Sequence, residues 1–224
     1  MLKRYPLFVL LFFYLNIACA QTSINYLQYA IGGGASYIRG YTNLNIQDNH
    51  FAENINFTYY LTGYMPLTAE FQVGTLSGGS VVLDPSNRFY INHYYALVAH
   101  LDYQLGQFTD QDNFFSNFFF GSGAGLIYDN NKVQRYSLVV ASYRFPGVDQ
   151  SLNPMVPFRV GYEIKVLNHY DEPSIRIELS YTHTFVFGEG LDGYSDPPSH
   201  FKDNNIDQYR QISIGIKYGF GQHK

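Results

Sequence analysis

The 224-residue chain is expected to fold as an all-β, eight-stranded antiparallel up-and-down transmembrane β-barrel with a side-chain-filled lumen, four long outer loops and short periplasmic turns. Three observations lead there. Apolar and polar side chains alternate along eight separate stretches. Aromatics are abundant (22 Tyr, 19 Phe) while only 14% of residues are charged. Long polar connections also alternate with short ones. Past residue 20 no apolar run approaches the ~18 residues of a membrane helix. A bilayer-spanning chain of this kind must be a closed barrel, whose backbone polar groups pair between strands.

The first twenty residues are set apart. MLKRYPLFVLLFFYLNIACA has a basic n-region (Lys3, Arg4), an apolar h-region over 7–15 and Ala18-Cys19-Ala20 as an A-x-A cleavage site. This predicts a signal peptide over 1–20, cleaved after Ala20, and a barrel domain over 21–224. Asn16 stands where a lipoprotein signal wants Leu, which argues against acylation of Cys19. Cys19 is the only cysteine, so the mature chain has no disulfide, zinc–thiolate site or cysteine nucleophile. Cleavage leaves 12 basic against 18 acidic residues, and that balance argues against a nucleic-acid partner.

The strands follow in order, each from its period of two. The first, near 26–38, opposes Leu27, Tyr29, Ile31, Ala35 and Tyr37 to Gln28, Gly32, Gly34 and Ser36. The second, near 54–62, opposes Ile55, Phe57, Tyr59 and Leu61 to Asn54, Asn56 and Thr58. GYMP at 63–66 reads as a turn. The third then opposes Leu67, Ala69, Phe71 and Val73 to Thr68, Glu70 and Gln72. The fourth, near 93–105, sets Tyr95, Leu97, Ala99 and Leu101 against Tyr94, His100, Asp102 and Gln104, although NHYYALVAHLDYQL also fits a helix. The fifth, near 117–128, sets Phe118, Phe120, Ala124 and Leu126 against Gly121, Gly123 and Gly125. In the sixth, VPFRVGYEIKV at 156–166, the alternation never slips. The seventh, near 174–185, opposes Ile175, Ile177, Leu179 and Tyr181 to Arg176, Glu178 and Ser180. The eighth, near 209–220, opposes Ile212, Ile214, Ile216, Tyr218 and Phe220 to Gln211, Ser213 and Lys217. Segments 39–53, 74–92, 129–155 and 186–208 are the long connections; 63–66, 106–116 and 167–173 are the shorter ones. That asymmetry marks the outer and inner ends of an outer-membrane barrel.

Charge decides which face meets lipid. Glu70, Asp102, Arg159, Glu163, Lys165, Arg176, Glu178 and Lys217 all lie on the polar parity, and the apolar parity has no charge in mid-strand. A basic side chain turned toward mid-bilayer lipid costs about 2–4 kcal/mol, so the polar face should look inward. An eight-strand barrel is just wide enough for side chains to fill it. The four acids and four bases should therefore pair, Glu163 with Arg176 above all, and shut the lumen. A soluble sandwich would put the same polar face in water, but its small Gly, Ala and Ser residues fit that poorly.

The last strand, YRQISIGIKYGFGQHK, carries Ile214, Ile216, Tyr218 and Phe220 on alternate positions and looks like a C-terminal assembly signal for the barrel-insertion machinery. Four residues, 221–224, follow the terminal aromatic. With IGGGASY and FFFGSGAGLIY, the mature chain resembles the small outer-membrane β-barrel proteins of Bacteroidota, similar in architecture to OmpA and OmpX barrels. Over about a fifth of its length, LSYTHTFVFGEGLDGYSDPPSHFKDNNIDQYRQISIGIKYGF is similar to the end of type IX secretion-associated barrels such as PorG. The resemblance implies outer-membrane lipid and the assembly machinery as partners, and secretion-system proteins as further ones.

Catalytic and metal chemistry find no motif. The histidines lack metal spacing, and there is no H-E-x-x-H, G-x-S-x-G or Walker sequence. Ser199-His200 are adjacent on an extended chain and point apart, so no dyad is expected. Glu189, Asp192, Asp196 and Asp203 do not match an EF-hand, and a structured polar loop is expected there rather than a calcium site. His100 and Asp102 share the inward face and are expected to join an interior hydrogen-bond network. Asn56-Phe57-Thr58 matches a glycosylation sequon by chance, in mid-strand. The expectation is a non-enzymatic integral outer-membrane protein without cofactor, its surface loops binding a partner or guarding envelope integrity. The alternatives are an accessory of a secretion or gliding machinery and a narrow small-molecule transporter.

Overall fold

The computed structural model describes residues 25–84, 86–109, 113–138, 140, 142–188, 190–195 and 206–223. The segment read as a signal peptide lies outside them. Eight strands close into an antiparallel up-and-down barrel in sequence order. They are β1 (Leu27–Tyr41), β2 (Asn49–Thr62), β3 (Met65–Gly79), β4 (Phe89–Gln104), β5 (Phe118–Val133), β6 (Gln150–Leu167), β7 (Pro173–Val186) and β8 (Asp207–His223). The segment that also fitted a helix is strand, paired on both sides along β4.

The register fixes the barrel's shape. One hydrogen-bonded row leaves β6 at Leu152 and passes Tyr128, Tyr95, Val73, Glu53, Ala35, Ile214 and Leu179. It returns to β6 at Tyr162, ten residues on. A shift of that size over eight strands tilts them by about 40°, given about 3.3 Å per residue and about 4.8 Å between strands. Each residue then rises about 2.5 Å along the barrel axis.

The faces divide as their alternation requires. Outward positions are apolar and open: Ile55 is 66% exposed, Leu97 60%, Val160 54% and Ile214 56%. Rings flank this belt, Phe220 stacking on Tyr29 at 5.8 Å near one end and Tyr37 meeting Phe51 edge-on at 5.4 Å near the other. On β8 the outward residues from Phe220 to Ile212 climb about 20 Å at that rise, and Arg210 follows at about 25 Å, the height of an apolar band. A belt of this chemistry suits hydrocarbon and not water.

Three expectations need correction. The outer strands run well past the expected limits, so the outer connections shrink to 42–48, 80–88, 134–149 and 187–206. Asn, Asp and Gly there read as loop, yet ladder hydrogen bonds hold them extended. The outward face consequently does carry charge, because Arg39, Glu53 and Lys132 sit on strand ends assigned to loops. Finally, the GYMP turn is tighter than expected: Met65 and Pro66 already pair with Thr62 and Tyr60. Proline is tolerated there because it stands at the start of its strand.

Candidate functional site in the lumen and its outer mouth

The lumen has two storeys of different chemistry. The inner storey is a charge network, and all eight side chains singled out above point into it. Arg176 Nη1 donates to Glu163 Oε1 at 2.7 Å, with Arg176 fully buried and its guanidinium 4.2 Å from the Tyr60 ring centre. Gln104 Nε2 also donates to Glu163 Oε1 (2.9 Å), while its Oε1 accepts from Lys165 Nζ (2.7 Å). Glu178 accepts from Lys217 Nζ at 2.6 Å and from Arg159 Nη2. Arg159 Nη1 lies 3.4 Å from Asp102 Oδ2 and 2.6 Å from His100 Nε2. His100 Nδ1 stands 3.3 Å from Asp102 Oδ2 and 2.8 Å from the same Arg159 Nη1, so the ring lies against both the carboxylate and the guanidinium.

Glycine placement makes the long reach possible. Asp102 on β4, Gly121 on β5 and Arg159 on β6 share one hydrogen-bonded row. A Cβ on Gly121 would strike the Asp102 carboxylate. Its absence lets a carboxylate and a guanidinium two strands apart meet across the intervening one. Gly161 likewise leaves a gap that the Phe119 ring fills.

Not every charge is matched. Glu70 and Lys165 have no opposite charge within 4.0 Å among the described residues, contrary to the expectation of complete pairing. Glu70 instead borders two cavities of about 20 Å³ each, shared with Arg159. Each has room for about one water.

The outer storey is apolar, which the alternation did not foretell. Ile38, Leu76, Tyr90, Tyr94, Ile127, Met155, Val186 and Tyr209 turn inward from the strands and form one core. Leu44 from the first outer loop joins them, as do Leu191 and Tyr194 from the last. The segment 190–195 thus enters the mouth as a plug. Asn92 Nδ2 donates to the Leu191 carbonyl (2.9 Å), Asn131 Nδ2 to the Gly190 carbonyl (2.6 Å) and Arg135 Nη1 to the Gly193 carbonyl (2.6 Å). The Leu191 amide donates to Asp207 Oδ2 at 3.3 Å.

Two features lock the plug's shape. Gly193 has φ +74°, a conformation open to glycine, and a Cβ there would press on Val133 at 2.9 Å. Asp192 Oδ1 accepts from the Tyr194 amide at 2.9 Å, while its Oδ2 is buried without a partner. Burial pushes the Asp192 carboxyl above the usual carboxylate range. Burial also pushes the Tyr194 phenol up to about 12, and its hydroxyl lies 2.9 Å from the Gln134 carbonyl. Arg88 and Arg135 each stand 5.8 Å from its ring centre.

Of the other residues singled out in the sequence, Ser199, His200, Glu189, Asp196 and Asp203 lie outside the described residues. Among those described, no group of three His, Cys, Asp or Glu side chains is placed to hold a metal ion. Asn56 and Thr58 are inward and buried. The eighth strand continues past Phe220 to His223. Sequence reasoning placed Gln104 on the inward face without giving it a role, and it missed Tyr60, Leu191 and Tyr194.

No protein-family model matches this chain, and a search of curated proteins finds no relative. Among solved structures it is similar to Neisserial surface protein A, at 11% identity over 88% of this chain and 100% of that one, with a TM-score of 0.48. It is similar to Ail, the attachment invasion locus protein of Yersinia pestis, at 14% over 87% of this chain and 99% of that one, TM-score 0.48. The outer membrane protein OprG from Pseudomonas aeruginosa gives 12% over 89% and 99%, TM-score 0.41. At identities this low no role passes from those proteins to this one.

Proposed function

We propose that the chain is a non-enzymatic integral outer-membrane protein whose closed barrel is an anchor and whose outer loops engage a partner. One observation carries this reading: the lumen is blocked twice, by the bonded charges around Arg159 and Arg176 and by the plug at Leu191 and Tyr194. Among the described residues the filled barrel and its hydrogen-bonded plug leave no open channel, which disfavours a transporter. The apolar tip Val82 (85% exposed) and Leu83 (73%) on the loop 80–88 supports partner binding over mere shielding of the envelope. A partner in a secretion machinery is the specific form that the type IX likeness favours. Cleavage after Ala20 would deliver the mature chain, and Ile214, Ile216, Tyr218 and Phe220 would present it to the assembly machinery.

Planar-bilayer recording tests the anchor reading. The native protein should be silent, while replacing Arg159 and Arg176 by Ala together with deletion of 190–195 should give steps of conductance. A native protein that conducts sugars in a liposome-swelling assay would refute it. For the partner, deleting the gene should impair export of secreted cargo; unchanged export would remove the secretion form of the proposal. Mass spectrometry of the mature protein should find Gln21 at its N-terminus.

A further inference from the structure

One group of side chains outside the lumen is explained neither by lipid chains nor by the plug. Arg39 on β1 is the direct antiparallel partner of Arg210 on β8, and Arg210 is the direct partner of His183 on β7. Their chain neighbours Ile38, Gly40, Thr182, Thr184, Tyr209 and Gln211 are buried, which turns all three side chains outward. Directly opposed side chains stand about 5 Å apart at Cβ, where like charges disfavour folding. Two guanidiniums and an imidazole side by side therefore need a reason.

Among the described residues no carboxylate is paired with them, and none lies within 4.0 Å of Arg39 or Arg210. Asp207 turns inward to the Leu191 amide, and Glu53 lies two outward positions below Arg39's partner Asn49, behind the Tyr37–Phe51 ring pair. Arg39 Nε is buried without a hydrogen-bond partner. Arg210 is held over the Tyr41 ring at 4.9 Å, and His183 Nε2 is 2.8 Å from Gln208 Oε1. Beside them opens a groove of about 480 Å³ whose lining includes Tyr41, Thr42, His183, Gln208 and Arg210, with Asp207 at its wall bonded to the Leu191 amide. That is the size of a small-ligand site.

Position selects the ligand. Arg210 stands about 25 Å above Phe220, at the outer boundary of the apolar band. An anion that meets it there is a lipid headgroup, with its chains running down past Ile212 and Tyr37. A phosphomonoester offers up to two charges and three acceptor oxygens in a geometry that forked guanidiniums match. A carboxylate would satisfy one arginine and leave the other.

We propose that Arg39, Arg210 and His183 form a site for the phosphate of a phosphorylated lipid in the outer leaflet. This rests on the outer-membrane reading, and the experiment separates the two. The mature protein is placed in nanodiscs of phosphatidylcholine doped with monophosphoryl lipid A or with phosphatidic acid. Unheated gel mobility reports insertion, and native mass spectrometry counts the lipid retained on release. Retention of phosphorylated lipid over phosphatidylcholine is expected, falling about tenfold or more in the R39Q/R210Q variant and partly kept in R39K/R210K. R144Q, in the outer loop 134–149, should behave as the native protein does. Equal retention of all lipids, indifference to R39Q/R210Q, or equal displacement by a soluble sugar phosphate would overturn the site while leaving the barrel's location intact. Failure to insert in any disc would instead refute the membrane reading itself.

Discussion

Replacing Arg176 by Met examines the inner charge network at its most buried point. Arg176 is 0% exposed and Glu163 2%, and the two are joined by the 2.7 Å bond between them. Methionine keeps a flexible apolar stem against Tyr60 but leaves Glu163 with the neutral Gln104 amide at 2.9 Å. Breaking a buried pair costs about 3–5 kcal/mol because the remaining charge is stranded. The surviving amide bond places the expected loss near the lower end, about 3 kcal/mol. Neutralising the partner as well, in Glu163→Gln with Arg176→Met, should bring stability back to within about 1 kcal/mol of the native protein. The second substitution would then restore about 2 kcal/mol of what the single one loses. Urea unfolding in lipid vesicles, with the folded fraction read from unheated gel mobility, measures all three. A single variant that loses under about 1 kcal/mol, or a double variant no better than the single, would refute the stranded-charge argument.

Three further outcomes follow from the same geometry. Val160→Lys, on the open apolar belt, should cost about 2–4 kcal/mol in the vesicle assay. Gly121→Val should cost about 1–3 kcal/mol by driving into Asp102, while Ala124→Val on the outward face should stay within about 0.5 kcal/mol. The plug should grip more weakly as pH rises. With Asp192 raised by burial, the folded state holds its proton longer than the unfolded state, so the stabilisation present below the ordinary value of about 4 is lost upward from there. Protection of the 190–195 amides against hydrogen exchange, after correction for the intrinsic pH dependence of exchange, should fall as pH rises above about 4 in the native protein, and Asp192→Asn should lessen that fall. A pH-independent native plug would contradict it.

What could be read in the sequence was whatever repeats with the strand's period. Arg159, Glu163, Arg176 and Glu178 were assigned inward from parity alone, and the structure has them there. The outer strand ends were not legible, because Asn130, Asn131 and Gly78 have loop composition and only the neighbouring strand's register holds them extended. Nor was the plug, since Leu191 and Tyr194 lie in an aperiodic segment whose burial depends on Asn92, Asn131 and Arg135 far away in sequence. The Asp102–Arg159 contact needed the register as well. Until β4, β5 and β6 are aligned, nothing says that Gly121 falls between them.

Methyl NMR in lipid nanodiscs tests the division of faces most directly. Methyl groups of Val160, Ile212 and Ile214 should exchange magnetisation with acyl chains, while those of Ile38, Ile127 and Met155, which are buried inside, should show none. Acyl contact at Ile127 or Met155, or water contact at Val160 and Ile214, would mean that the barrel faces are assigned the wrong way round.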